Sequence, residues 1–174
     1  MDLSYPMKKI SVSLLLVAVL FGCVTPAYKA GETPQPPPGF LNAKWGATVE
    51  EVKEAIQKDG NRWFQDSTDK LPCALYASGT YWDFSAIFSY LFTPRTKKLY
   101  RVDVTFSDLR VYEKARDQLI RTFKDPAYTQ VEVEHWSWDD KSLVILQKDP
   151  TTVQISFSSG PFLILNQKEG NGLK

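Results

Sequence analysis

The sequence is poor in the side chains from which most catalytic and metal sites are built. Among its 174 residues are one histidine, His135, and two cysteines, Cys23 and Cys73. It also lacks a Cys-x-x-Cys pair, a His-x-x-x-His pair and a glycine-rich phosphate loop. These absences argue against a metal centre and a nucleotide cofactor. We therefore predict that the protein is not an enzyme, uses no cofactor or metal, and has no small-molecule ligand.

Long apolar runs and an excess of one charge are also missing. The longest apolar run, residues 10–21, is too short for a membrane-spanning helix, which needs about 20 residues. Residues 23–174 carry equal numbers of acidic and basic side chains. A chain without net charge is not attracted to phosphate backbones, so nucleic acid is not an expected partner. A polybasic membrane anchor is not expected either.

The short apolar run has the form of an export signal. Lys8 and Lys9 precede it as a positive n-region. It ends in Leu20-Phe21-Gly22-Cys23, which resembles the lipobox of bacterial lipoproteins, in which the cysteine is acylated and becomes the mature N-terminus. The resemblance implies a signal peptide over residues 1–22 and lipid, such as palmitate, on Cys23.

The residue after the cysteine bears on location. Val24 resembles the residue pattern that directs Gram-negative lipoproteins to the outer membrane. The resemblance implies a cell-envelope protein whose folded part lies in the periplasm. Two or more acyl chains anchor a protein stably, at about 0.8 kcal/mol per buried methylene. The membrane is therefore the first expected partner, held through Cys23.

Composition divides the chain after the signal into three segments. Residues 23–39 are rich in proline and have no apolar periodicity, which predicts an extended tether. This tether is either a disordered spacer or a proline-rich recognition segment. Residues 40–165 have the periodic pattern of one globular domain, and residues 166–174 are predicted to be a disordered tail.

Hydrophobic periodicity predicts helices and strands in the globular segment. Thr48 to Glu51 fits a capping box that begins a helix over about residues 49–59, and a second helix is predicted over about 109–124. Period-two patterns predict strands near residues 63–64, 74–78, 84–92, 100–106, 131–138, 143–147 and 152–158. Residues 162–165 are expected to add an edge strand or to tuck against the sheet. The order predicts an α+β fold of two helices on antiparallel sheet, built from a duplicated α-β-β-β unit.

One motif suggests a family for this fold. The stretch Lys44-Trp45-Gly46-Ala47-Thr48-Val49-Glu50-Glu51-Val52 resembles the entry to the first helix in small secreted and lipid-anchored proteins related to beta-lactamase inhibitor protein. It is also similar to the small lipoprotein of the outer-membrane barrel-assembly machinery, whose helices pack on an antiparallel sheet. The resemblance implies a scaffold that binds proteins. We therefore expect a non-catalytic binding or scaffold module for another envelope protein.

Aromatic residues are the one compositional excess, with five tryptophans. Trp136 and Trp138 share one face of a predicted strand, with Glu132 and Glu134 on the same side. If exposed, these four side chains would form an aromatic platform for sugar rings or a partner protein, while packing in the core is the alternative. Carbohydrate or peptidoglycan binding is therefore the second functional hypothesis.

His135 is the only candidate general base. The nucleophiles and orienting groups that it could use are Cys73, Ser137, Ser142, Asp139 and Asp140. Cys73, His135 and Asp139 are also the three candidate metal ligands. We favour a strand histidine without a catalytic role and a buried Cys73, because an unpaired cysteine beside apolar neighbours behaves as a small hydrophobic residue.

Overall fold

A computed structural model describes residues 34–171, so the predicted signal peptide, Cys23 and residues 172–174 lie outside the described part. Within it the helices are α1 (Val49–Lys58), α2 (Val111–Phe123) and α3 (Gly160–Asn171). The strands are β1 (Gly39–Phe40), β2 (Ala43–Lys44), β3 (Arg62–Ser67), β4 (Ala74–Tyr81), β5 (Phe84–Phe92), β6 (Leu99–Phe106), β7 (Tyr128–Gln130), β8 (Val133–Ser137), β9 (Leu143–Lys148) and β10 (Val153–Ser158). The α+β prediction is confirmed, but residues 34–171 form three helices instead of two.

Eight strands form one antiparallel sheet, while β1 and β2 make a separate hairpin. The order in the large sheet is β3-β4-β5-β6-β10-β9-β8-β7. The chain therefore runs through one helix and four strands, then repeats the pattern, and the last strands of the two halves pair in the middle. The repeated unit is α-β-β-β-β, one strand longer than predicted.

The additional strand, β7, lies just before the segment predicted as one strand over residues 131–138. Gln130 of β7 pairs with Val133 of β8, so Val131 and Glu132 alone form the loop. Val131 is 85% exposed, and Glu132 has a φ of +60°, in the left-handed region. Two-residue hairpins favour glycine or asparagine there, so this loop carries no local sequence signal.

Both α1 and α2 pack on the same face of the sheet, which we call the covered face. Helix α1 buries Val52, Ala55 and Ile56, and α2 buries Val111, Ala115 and Leu119. Alternate side chains of the central strands fill the space beneath them: Phe88, Tyr90, Val102, Val104, Phe106, Val144, Leu146, Ile155 and Phe157. The predicted capping box is present, since Thr48 Oγ1 accepts from Glu51 N and Glu51 Oε2 accepts from Thr48 N at 2.7 Å.

The C-terminal segment is a helix, so the predictions of an edge strand over residues 162–165 and of a disordered tail over 166–171 are wrong. The alternative, that residues 162–165 tuck against the sheet, agrees with the contacts between α3 and β6. The sheet ends where Ser159 N donates to Tyr100 O at 3.0 Å. Gly160 N then donates to Ser142 Oγ, and a Cβ at Gly160 would lie 1.8 Å from Asp140 O. Glycine is therefore needed where α3 begins.

The far end of α3 is held by its Glu169 carboxylate. Glu169 Oε2 accepts from the backbone amides of Arg95 at 2.7 Å and Thr96 at 3.1 Å, and Oε1 accepts from Thr96 Oγ1 at 2.6 Å. Burial opposes ionisation, but these hydrogen bonds outweigh it and lower the pKa of Glu169. Hydrogen bonds to the turn between β5 and β6 thus hold the C-terminal part of α3, whose own sequence predicts disorder.

The Glu169→Gln variant is expected to loosen α3. Bonds to a charged acceptor are worth about 1.5–3 kcal/mol, so hydrogen exchange of the α3 amides should accelerate roughly tenfold or more. The pKa of Glu169 is lower in the folded state than in the unfolded state. The stabilisation by its carboxylate is therefore fully present above the unfolded-state pKa and is lost as the pH falls through the folded-state pKa. When both proteins are measured at the same low pH, the α3 amides of the wild type should therefore exchange nearly as fast as those of the variant. Unchanged α3 protection would contradict the assignment.

Part of the predicted tether belongs to the folded domain. Pro34 O accepts a hydrogen bond from Trp138 Nε1 at 2.6 Å, and Pro37 O accepts one from Trp45 Nε1 at 2.7 Å. The packed structure thus includes residues 34–39, which composition had assigned to the tether, while residues 23–33 lie outside the described part.

Candidate binding surface

The sheet face opposite α1 and α2 is largely accessible, and we call it the open face. Strand register places its side chains in three rows, of which two cross all eight strands and the third crosses seven. The first row is Arg62, Ser78, Ile87, Thr105, Gln154, Gln147, Val133 and Gln130. The second is Gln65, Tyr76, Ser89, Asp103, Ser156, Ile145, His135 and Tyr128. The third is Ser67, Ala74, Leu91, Arg101, Ser158, Leu143 and Ser137.

Charge is nearly absent from the open face. Its rows contain three charged residues, Arg62, Arg101 and Asp103. Two of these neutralise each other, because Arg101 Nε lies 2.7 Å from Asp103 Oδ1. Arg101 Nη2 also donates to Ser156 Oγ at 3.1 Å, which fixes the pair at the centre of the sheet. By contrast, the exposed positions of α1 and α2 include Glu50, Glu54, Lys58, Glu113, Asp117 and Arg121.

Apolar side chains are exposed on the half of the open face formed by β3, β4 and β5. Phe64 is 54% exposed and stacks on Tyr76 with ring centroids 6.5 Å apart. Its position results from a bulge, since Trp63 and Gln65 pair with successive residues of β4 while Phe64 is skipped. Ile87, in the first row, is 44% exposed. Aromatic and aliphatic surface therefore alternates with hydroxyl and amide groups.

A groove of about 1050 Å³ opens at the end of this half, where β6 leads into α2. Ser78, Ile87 and Thr105, neighbours in the first row, form part of its lining. Asp108 and Arg110 form another part, with Arg110 Nη2 2.7 Å from Asp108 Oδ2. Hydrogen bonds from the Arg110 side chain and backbone lower the pKa of Asp108. The charges at the groove are thus paired, which suits a neutral ligand surface.

The predicted aromatic platform is not formed. Trp136 and Glu134 lie on the covered face and are each 2% exposed. Trp136 Nε1 donates to Lys124 O at 2.9 Å, and Glu134 Oε1 accepts from Arg116 Nε of α2 at 2.6 Å. Because Arg116 of α2 pairs with the carboxylate, Glu134 can lie on the covered face. Trp136 is two residues further along the same strand and therefore lies on that face too.

The other two residues of the predicted platform lie apart from this pair. Trp138 is half-buried and packs edge-to-face on Phe123, with ring centroids 5.3 Å apart. Glu132 is exposed in the loop between β7 and β8, 3.6 Å from Lys148 Nζ. The expectation that Trp136, Trp138, Glu132 and Glu134 share one exposed surface is therefore wrong.

Cys73, one of the groups considered for catalysis, lies far from His135. Cys73 directly precedes β4, five strand steps from His135 on β8, which is roughly 24 Å. Cys73 is buried, as predicted, with Lys97 Nζ 3.0 Å from its sulfur. The Ser142 hydroxyl donates to Asp140 and accepts from Gly160 N, while His135 packs beside Tyr128. Within residues 34–171 no group of three His, Cys, Asp or Glu side chains could hold a metal.

Sequence reasoning missed the open face as a site. Alternation within β6 places Arg101, Asp103 and Thr105 on its polar side, and alternation within β5 places Ile87 and Leu91 on a common side. The alternation within each strand therefore shows which of its residues share a face. Only the pairing of β6 with β10 joins those strands into a continuous surface.

No family model, curated protein or solved structure matches this chain. Among residues 34–171, no helix is both long and apolar enough to cross a membrane. The chemistry of the open face and of the N-terminal segment therefore carries the functional interpretation.

Proposed function

We propose that the protein is a lipid-anchored bacterial envelope protein that binds another envelope protein, without catalysis, through its open face. The observation that carries this proposal is the near absence of charge from the open face, whose first row is accessible along its whole length. Ser156 of the second row and Ser67, Ala74 and Ser158 of the third row are buried. The cores of protein interfaces are depleted in charge and enriched in aromatic residues. Surfaces rich in tyrosine and serine combine rigid contact area with adaptable hydrogen bonding.

The size of the open face fits a transient complex. Seven strand spacings of about 4.8 Å make the face roughly 34 Å wide, and its first two rows, spaced by about 6.8 Å, make it roughly 14 Å long. The product, roughly 480 Å², is below the area of about 800 Å² that each partner buries in a standard protein interface and lies in the range of transient interfaces. Dispersed hydroxyl and amide groups supply hydrogen bonds without the desolvation cost of isolated charges.

The N-terminal sequence supports the membrane anchor. The resemblance of Leu20-Phe21-Gly22-Cys23 to a lipobox supports lipid on Cys23, and Val24 supports a location at the outer membrane with the domain in the periplasm. Residues 24–33 then join the anchor to the packed segment that begins at Pro34. Because the platform of Trp136 and Trp138 is not formed, we do not propose carbohydrate binding.

The Cys23→Ser variant is expected to lose membrane attachment. Without the thiol no acyl chain can be attached, so the protein should move from the detergent phase to the aqueous phase on phase separation. Mass spectrometry of the wild type should show acylation on an N-terminal Cys23. The matched control is Cys73→Ser, which should remain in the detergent phase. An unmodified Cys23, or cleavage at another residue, would contradict the anchor.

A further inference from the structure

Two tryptophans from distant parts of the chain hold its proline-rich segment. The segment Pro34–Pro38 lies in the C-terminal part of the tether predicted over residues 23–39. Trp138 Nε1 donates to Pro34 O at 2.6 Å, across 104 residues of sequence. Trp45 Nε1 donates to Pro37 O at 2.7 Å, across 8 residues. Pro34, Pro36 and Pro37 are each partly buried.

The spacing of the two bonded carbonyls follows polyproline geometry. Proline lacks an N–H group, so its carbonyl is the only backbone group that it offers. A polyproline II helix has three residues per turn, and residues 34 and 37 are one turn apart. Their carbonyls therefore point to the same side, where two indole N–H groups can reach both. Aromatic-lined grooves are the usual binding sites for such helices.

The site around Trp138 has space that the segment does not fill. Trp138 is fixed against Phe123, and a cavity lies on either side of it. One, of about 370 Å³, is lined by Pro34, Gln35, Pro36, Trp138, Asp139 and Asp140. The other, of about 200 Å³, also borders Pro34 and Trp138. A ligand with larger side chains than those of residues 34–36 would fit.

We propose that Trp45 and Trp138 form a binding site for polyproline II segments, which Pro34–Pro38 occupies in cis and which a proline-rich segment of a partner protein enters by displacing it. This site is distinct from the open face and does not depend on the lipid anchor. The seated segment defines the chemistry of the ligand: an extended chain with carbonyls three residues apart.

Negative charge beside the site indicates which residues the ligand should contain. Asp139 and Asp140 are exposed and line the larger cavity together with Gln35. A lysine or arginine in place of that glutamine would bring a positive charge close to the Asp139 carboxylate. The preferred partner segment therefore carries a basic residue among its prolines, and it should bind more tightly than a peptide copied from this chain.

The bound segment Pro34–Pro38 determines how tightly a partner peptide must bind in order to displace it. A short covalent connection gives a bound segment an effective concentration in the millimolar range. A partner peptide should therefore bind the wild type weakly, and should bind strongly to a variant in which the segment docks poorly. Replacement of Pro34, Pro36, Pro37 and Pro38 by serine in the full chain keeps the backbone carbonyls but removes the proline rings and their fixed φ, so the segment should dock much more weakly. We call this the emptied variant.

The test is titration with a peptide of residues 33–39, followed by tryptophan fluorescence. The emptied variant should bind it at least tenfold more tightly than the wild type. A peptide with lysine at the position of Gln35 should bind more tightly still. Adding Trp138→Phe to the emptied variant removes one indole N–H and should weaken binding about fivefold. The matched control is Trp63→Phe, on β3 outside the site, which should leave the affinity unchanged.

Two results would overturn the proposal. One is failure of a folded emptied variant to bind either peptide at millimolar concentration, and the other is equal binding by the wild type. If the emptied variant does not fold, hydrogen exchange of the indole N–H groups in the wild type tests whether the segment occupies the site. Trp45 and Trp138 should then exchange as slowly as Trp136, whose Nε1 donates to Lys124 O elsewhere. Fast exchange at Trp45 and Trp138 would show that the segment does not occupy the site.

Discussion

Replacing Arg116 by methionine is expected to lower the free energy of unfolding by roughly 3 kcal/mol at pH 7. Among residues 34–171, Arg116 Nε is the one group bonded to the carboxylate of Glu134, and the other carboxylate oxygen is buried without a partner there. Its loss would leave a lone ionised carboxylate beneath α2. The Arg116 side chain is 39% exposed, so some water can enter, which places the cost at the lower end of the range for buried pairs.

A second variant separates charge from packing. Arg116→Met combined with Glu134→Leu removes both charges and should restore stability to within about 1 kcal/mol of the wild type. Urea unfolding of the wild type, the single variant and the double variant at pH 7 measures both effects, and equal stability of the single variant and the wild type would refute the role of the pair.

A lysine at Ile87 is expected to weaken partner binding roughly a hundredfold. Ile87 lies in the first row of the open face, and a charge buried there without a counterion costs about 2–5 kcal/mol. Because Ile87 is 44% exposed in the free protein, Ile87→Lys should change the free energy of unfolding by no more than about 0.5 kcal/mol. Binding should therefore be lost while the fold is kept.

Site-specific crosslinking measures this effect. A photoreactive residue at Ser89, in the adjacent row of the same strand, should capture one envelope protein in stoichiometric amount, and Ile87→Lys should abolish that product. The matched control is Gln57→Lys, which adds the same charge at an exposed position of α1. The open face would be excluded as the interface if Ile87→Lys left the product intact, or if Gln57→Lys removed it equally.

Local sequence was sufficient where short-range contacts determine structure. Helix α1 follows from the capping box of Thr48 and Glu51 and from the spacing of Val52, Ala55 and Ile56. The strands near residues 84–92 and 100–106 follow from their alternation, and the α+β class follows from the order of these elements. None of these features depends on how distant segments pair.

Sequence alone was insufficient where distant residues decide the outcome. Strand periodicity puts Glu134 and Trp136 on one face but cannot say which face is buried, and Arg116 on α2 decides it. Helix α3 lacks a strong apolar stripe, and the turn at Arg95 and Thr96 supplies its anchor. The open face likewise requires the order of the strands, which no single strand encodes.

The pairing of β6 with β10 at the centre of the sheet has a consequence during synthesis. Each half can form its own hairpins early, because their strands are adjacent in sequence, whereas the central ladder joins Val104 to Ile155 and has high contact order. Until the last strand is made, the nascent chain presents the bare edge of β6, with Val102 and Val104 beside it, as a template for misassembly. A chain of this topology therefore benefits from a holding chaperone until its C-terminal strand arrives.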